Sequence, residues 1–484
     1  MRLLNRFIAI TMLSFCLLAP LAWAQDDSVQ PVAPLPAIGQ QDATSANVDQ
    51  QQSTEQPATS PDTRPPSGAQ DLTIGFPENG RNYLKGYFDF LQTVDTNPQL
   101  GPHHALVGTI TNLIGDVALD RSGKSSSFEL QYMGAGFIPT HQQFGNTQAH
   151  QLGVSQAITT GRWALLLADE AIYSPEGGYG FGGLGATAGL GVGSQTFTGL
   201  NPGLINQQTA FFAARRIDNT SLAQVQYSLS ARSSITTYGS YGMLHFLDGG
   251  FIDSDQVMAN VGYNYSPTRH NTFSLTYGYG QFHFGGESNT GLKAHSVNLG
   301  YARRVTGRLS VQIFAGPQLI TTQSLVSVPL LQLGSFIISG LEKENFRRLS
   351  WSGYSDVKYS MGRTDLTLSF MRSVTGGSGL LAGAQTTDVQ ASVGRAVGRS
   401  WSARINSGYA HSGSVGAGVG SYNAVYGGAG LHRRIGHASG LDLTYQLQRQ
   451  RSDAVCTSAV CGGDFLRHVF GVGVRWQFRP IRLD

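Results

Sequence analysis

The sequence predicts an all-β chain closed as an antiparallel, up-and-down transmembrane β-barrel of about 18 strands, with about 16 as the alternative. Three observations predict it. Apolar and polar residues alternate with period two along many segments, the signature of strands with two unlike faces. Charged residues make up only 13%, beside 62 Gly, 24 Phe and 19 Tyr, whereas a soluble protein carries about 25% charged residues. Mean hydropathy is −0.12, because a lipid face and a water face cancel in the average. No run of about 18 apolar residues follows the N-terminus, which argues against a helical membrane protein. The net charge of +3 points to no nucleic acid and no acidic partner.

Residues 1–24 read as a secretory signal. Arg2 and Arg6 form the basic start, Phe7–Leu21 the apolar stretch, and Ala22-Trp23-Ala24 a small-x-small cleavage site before Gln25. A retained anchor is the alternative, and the shortness of the apolar stretch counts against it. Cys16 follows Phe15, which is too bulky for a lipoprotein signal. Residues 25–75 are rich in Gln, Pro, Ser, Thr and Asp and contain no aromatic residue before Phe76. Such a segment cannot bury enough apolar surface to order itself, so it is expected to be a disordered tether.

Residues 76–484 are expected to form the barrel. Leu441, Leu443, Tyr445 and Leu447 alternate with Asp442, Thr444, Gln446 and Gln448. Ala259, Val261, Tyr263 and Tyr265 alternate with Asn260, Gly262 and Asn264, and Val225, Tyr227 and Leu229 with Gln224, Gln226 and Ser228. Leu309, Val311, Ile313 and Ala315 form one face, interrupted by Phe314 on the other. The polar partners are mostly neutral hydrogen-bonding groups, which suits a wet interior. Arg81–Leu91 and His104–Ala118 are expected to be the opening pair of strands.

Short turns share a Gly-basic step: Thr160-Gly161-Arg162, Thr306-Gly307-Arg308, Met361-Gly362-Arg363, Val397-Gly398-Arg399 and Ile435-Gly436-His437. Glycine is expected to supply the positive φ of a tight hairpin. Ala231-Arg232-Ser233 and Pro267-Thr268-Arg269 fill the same slot without glycine. The other connections are longer: Tyr173–Asp218, Asp248–Asp255, Gly285–Gly291, Thr321–Arg347, Thr375–Gln385, Ser412–Gly418 and Arg451–Gly463. Short turns at one end and long loops at the other, with both termini at the short-turn end, require an even strand count.

The last strand, Phe465–Phe478, carries Phe470, Val472, Val474, Trp476 and Phe478 on one face and Gly471, Gly473, Arg475 and Gln477 on the other. It resembles the C-terminal signal strand of bacterial outer-membrane β-barrels. That family usually ends on the aromatic, whereas here Arg479–Asp484 follow. The whole pattern resembles an outer-membrane barrel of porin size. The resemblance implies a passive pore in the bacterial outer membrane with its tether in the periplasm. Outer-membrane lipid, the barrel-insertion machinery and small polar solutes are the partners it implies; it leaves a homo-oligomer open and implies no cofactor. No residue matches a functional motif of the family.

Lumen-lining candidates are Arg475, Arg404 and Lys358 against Asp356 and Asp442, with Gln446 among the neutral groups. Arg395 shares a face with Val389, Ala391 and Val393 and is expected to snorkel outward. The mild basic excess predicts weak selectivity, leaning to anions. The Gly-rich stretch 177–203, uncharged throughout, is a candidate constriction or a cap over the mouth. It lacks the Gly-Lys-Ser/Thr close of a phosphate loop. Leu325–Leu341 is strongly apolar and reads as a loop that makes a contact. Cys456 and Cys461 fit a small disulfide loop; a metal pair is the alternative, but no His lies between them.

No enzyme is expected. His295-Ser296 and His411-Ser412 are adjacent on strands and must point to opposite faces. Asp253, Asp255 and His283 could cluster at a rim, and His103-His104 could hold a metal; polar rim residues are the plainer reading of both. The favoured function is passive diffusion of small polar solutes. The alternative is a non-conducting barrel whose extracellular loops bind a partner or surface polymer.

Overall fold

Alternating segments with unlike faces must pair every backbone polar group between strands, and in lipid the sheet must close on itself. The computed structural model describes residues 82–98, 100, 107–140, 147–174, 214–268, 270–285, 290–333, 336–415, 420–453 and 463–483, with only the backbone of 324–333, 336–344 and Ser378. The signal 1–24, the tether 25–75, His103-His104, the stretch 177–203, Cys456 and Cys461 lie outside the described residues.

The first strands are β1 (Asn82–Asp95), β2 (Gly108–Ser122), β3 (Ser126–Pro139), β4 (Thr147–Thr160), β5 (Trp163–Ser174) and β6 (Arg216–Ser230). Then come β7 (Ser233–Phe246), β8 (Ser254–Thr268), β9 (Asn271–Phe284), β10 (Gly291–Arg304), β11 (Leu309–Leu333) and β12 (Phe336–Met361). The rest are β13 (Thr364–Thr375), β14 (Ala384–Val397), β15 (Trp401–Ser414), β16 (Ser421–Ile435), β17 (Ser439–Ser452) and β18 (Phe465–Gln477). Each strand pairs antiparallel with its chain neighbour, and β1 pairs with β18, so the sheet closes. The expected count of about 18 holds and the alternative of about 16 does not.

The chain end stays in the wall. Tyr87 pairs with Gln477, but Leu84 pairs with Ile481 of a short final segment, β19 (Ile481–Leu483). The last strand therefore carries one extra residue there, a bulge at Phe478–Pro480. Phe478 N donates to Gly86 O at 2.9 Å across it. The residues after Phe478 thus prolong the seam between first and last strands.

The short turns fall where expected. Gly161, Gly362, Gly398 and Gly436 have φ between +55° and +78°. Gly307 is not among the positive-φ residues; in its turn the Thr306 hydroxyl accepts from Arg308 N at 3.1 Å and Leu309 N at 3.0 Å. A Ser/Thr turn replaces the left-handed glycine there.

Two expectations are corrected. The opening strands run four residues further than expected, to Asp95 and Ser122. Thr321–Arg347 is no loop: β11 and β12 are 25 and 26 residues long and pair up to Leu333 and Phe336. Its β-branched and apolar residues favour strands, and each arm satisfies the other's backbone. Above Gln323, the last β11 residue paired with β10, this hairpin rises without flanking strands among the described residues, by roughly 30 Å.

Candidate functional site

Strand alternation and exposure separate two faces. On β18, Val472 is 54% exposed and Arg475 is 9% exposed. Exposed apolar residues form a band around the outside: Val261, Tyr263, Phe273, Leu275, Val297, Leu299, Ile405, Val425 and Phe470 among them. Inward positions carry Asn112, Gln131, Gln224, Asn264, Asn406, Gln446 and Gln450. Trp163 with Tyr227, Phe273 with Tyr301 and Trp476 with Phe478 form aromatic contacts near the short-turn end. Such a wall requires hydrocarbon outside. The chain forms a transmembrane β-barrel of the outer-membrane type. In barrels of that type the short turns are periplasmic and the long loops extracellular, and the two ends are named accordingly.

The inner face near the periplasmic end carries a charged row across the β1–β18 seam. Arg475 Nε donates to Asp89 Oδ1 at 2.9 Å and Oδ2 at 3.1 Å. Asp442 Oδ2 lies 3.8 Å from the same nitrogen, and the guanidinium stands 4.9 Å from the Tyr87 ring centre. His432 Nδ1 meets Asp442 Oδ1 at 2.8 Å. Lys85 Nζ donates to Asp120 at 2.5 Å, and Gln131 Nε2 to Asp116 at 2.7 Å. Registry builds this row, since Arg475 faces Asp89 and His432 faces Asp442 across paired strands.

Of the sequence-selected residues, Arg475 and Asp442 come together here. Gln446 shares the inward face of β17 higher up. Lys358 and Asp356 pair at 3.5 Å on β12, and Arg404 stands apart on β15. Sequence reasoning missed Asp89, Tyr87, Asp116 and His432, although Tyr87 and Asp89 alternate with Phe88 and Phe90 just as Arg475 does with Trp476.

Toward the extracellular end the inner face holds two fully buried arginines. Arg467 Nε donates to Asp95 at 2.8 Å, and Arg216 Nε to Asp218 at 2.8 Å. Outside the wall at that end, Arg215 and Asp248 tie β6 to β7; the Arg215 hydrogen bonds hold the Asp248 carboxyl below the usual range. The mild basic excess expected of the lumen is corrected. Asp89, Asp95, Asp116, Asp120, Asp218 and Asp388 also face inward, so the signs nearly balance. Alternation showed each face, but not which acids shared it across distant strands.

The β13–β14 hairpin parts from β12 while β14 stays paired with β15 up to Ala384 and Ser414. Its pairing with β12 ends at Gly353 and Arg372, while β13 and β14 stay paired to Thr375 and Ala384. Val374 then packs with Phe282, Phe284, Leu292 and Ile320 on the inner face. The connecting loop crosses the lumen, and Leu381 packs with Phe246 while Gly379 O accepts from Ile252 N at 2.9 Å. Gly379 has φ +76°, and a Cβ there would lie 2.2 Å from Phe246 Cζ; only glycine permits that approach. Sequence reasoning placed this connection correctly but not its inward path. The Leu380-Leu381 pair amid glycines was the available signal.

His295 faces outward to Tyr277 at 2.9 Å, and His411 outward to Asn423 at 2.8 Å, while Ser412 turns inward to Thr386. Asp255 faces His283 across β8–β9, whereas Asp253 meets His245 at 2.6 Å. Among the described residues, no three His, Cys, Asp or Glu side chains are grouped to hold a metal.

No protein-family model and no curated protein matches the chain. Solved structures with a similar trace include OpdK of Pseudomonas aeruginosa with vanillate, at 10% identity and TM-score 0.40. OccK2 (OpdF) of the same organism in complex with glucuronate has 11% identity and TM-score 0.42. A BenF-like porin from Pseudomonas fluorescens Pf-5 has 10% identity and TM-score 0.42. Each match covers 84% of this chain and 100% of the other.

Proposed function

We propose that the barrel is an outer-membrane channel for passive diffusion of small polar solutes. One observation carries this reading: inward polar atoms lack protein partners, including Asn112 Oδ1, Asn264 Oδ1, Thr276 Oγ1, Gln318 Oε1, Gln446 Nε2 and both amide atoms of Asn406. Buried polar atoms need hydrogen bonds, so an inner face with spare donors and acceptors suits water and small polar solutes. Arg475, Arg404, Lys358, Asp356, Asp442 and Gln446 line that path together with Asp89 and His432. Mixed, nearly balanced charge supports weak selectivity.

The β13–β14 loop, which reaches Phe246 and Ile252, is the constriction this reading assigns. The experiment is planar-bilayer conductance of the refolded barrel, intact and with residues 377–382 replaced by a two-residue turn. Conductance is expected to rise severalfold on shortening. A barrel that stays silent in both forms would defeat the channel reading. The β11–β12 hairpin favours a second reading, a non-conducting barrel displaying that hairpin to a partner, and silence in both forms is its signature.

A further inference from the structure

We infer that the outer face of β15–β18, at its extracellular end, seats the phosphate of an outer-leaflet lipid. Arg449 and Arg451 point outward from β17 and are exposed. Arg449 pairs across to Val425 and Arg451 to Asn423, whose other neighbour is His411. Asn423 Oδ1 is engaged by His411 Nδ1 and the Tyr409 hydroxyl, both at 2.8 Å. Neither arginine has an ion pair or hydrogen bond among the described residues. Beside Arg449 lie exposed Val425 and Leu466, and below them Phe470 and Val472. Two guanidinium groups at the upper border of an apolar band mark the level where hydrocarbon gives way to headgroups. A guanidinium binds phosphate with paired hydrogen bonds, and two unneutralised cations at an anionic surface attract it further.

The same device recurs on another part of the wall. Lys293, Thr321 and Arg347 lie in one outward row across β10, β11 and β12. That row stands just above the Tyr277–His295 pair, as Arg449 stands above the Tyr445–His468 pair, whose hydrogen bonds are 2.9 and 3.0 Å. Basic groups repeated at one level of the wall fit a lipid surface, which surrounds the barrel, better than a protein docked at one place. The inference is independent of whether the lumen conducts.

Native mass spectrometry of the full mature chain in neutral detergent tests it, with added lipid A as the phosphate-bearing probe and its dephosphorylated form as control. The wild type is expected to retain lipid A and release the dephosphorylated form. Joint Arg449→Gln and Arg451→Gln substitution should weaken retention about tenfold or more, each single change should lose part of that, and Arg→Lys at both positions should keep most of it. Arg433→Gln, outward at the periplasmic end beside Trp401, should retain lipid A as the wild type does. Equal retention by the double Gln variant, equal retention of the dephosphorylated lipid, or displacement by equimolar inorganic phosphate would overturn the assignment.

Discussion

On β9, Thr276 turns inward and leaves its hydroxyl oxygen without a protein partner, while its neighbour Tyr277 turns outward and hydrogen-bonds His295 Nδ1 at 2.9 Å. The contrast repeats around the wall. Outward polar groups pair with one another: Tyr132 with His150 and Tyr445 with His468, each at 3.0 Å, and Asp169 with Ser221 at 2.5 Å and Asn219 at 3.3 Å. Inward ones such as Asn406 and Gln446 do not. Not every outward group does so: Arg372 Nε lies unpartnered with the Trp351 ring 4.9 Å from its guanidinium, and Arg449 and Arg451 stand exposed at the border of the apolar band. Polar atoms that face hydrocarbon must be satisfied by the protein itself, whereas those that face water need not be. The two faces differ in composition, and on the outer face many of the polar groups present are paired with one another.

The strongest way to break this comparison places one charge on each face of β17. Leu443→Arg puts a guanidinium near the midplane of the outer face, at a cost of about 2–4 kcal/mol. Gln446→Arg puts it in the lumen, at a cost within about 0.5 kcal/mol, and shifts the reversal potential toward anions. Urea unfolding of the barrel folded into vesicles measures the first, and bilayer recording the second. Equal destabilisation by both would mean that the inner face is as dry as the outer.

A smaller effect uses the β9 neighbours. Tyr277→Phe strands the His295 nitrogen in lipid and should cost about 1 kcal/mol. Thr276→Val removes a hydroxyl oxygen that has no protein partner and should change stability by less than about 0.5 kcal/mol. The same unfolding assay ranks them, and a reversed order would contradict the assignment of the faces.

Much of this wall was legible because period two is a local signal. The outward row Val472, Val474 and Trp476, and the turns at Gly362 and Gly398, needed only neighbouring residues. What was not legible depends on distant chain. Arg475 and Asp89 meet only because the last strand closes on the first. The β13–β14 hairpin turns inward because Phe246 and Phe282, far away in sequence, offer Leu381 and Val374 an apolar surface. Leu325–Leu341 was misread because apolar strands paired only with each other look, residue by residue, like an apolar loop.

The smallest expected change is the most discriminating about water. Arg475→Gln removes the cation between Asp89 and Asp442 at the seam. In a dry interior, leaving two carboxylates without their partner would cost about 3–5 kcal/mol. On a wetted inner face the pair is screened, and the loss should be about 0.5 kcal/mol. The uncovered carboxylates should instead move the reversal potential toward cations, opposite to Gln446→Arg. A loss of several kcal/mol with unchanged selectivity would show that the seam is a structural clasp outside the conducting path. A small loss with a cation shift places Arg475 on that path, since only a charge exposed to permeating ions can change selectivity while barely changing stability.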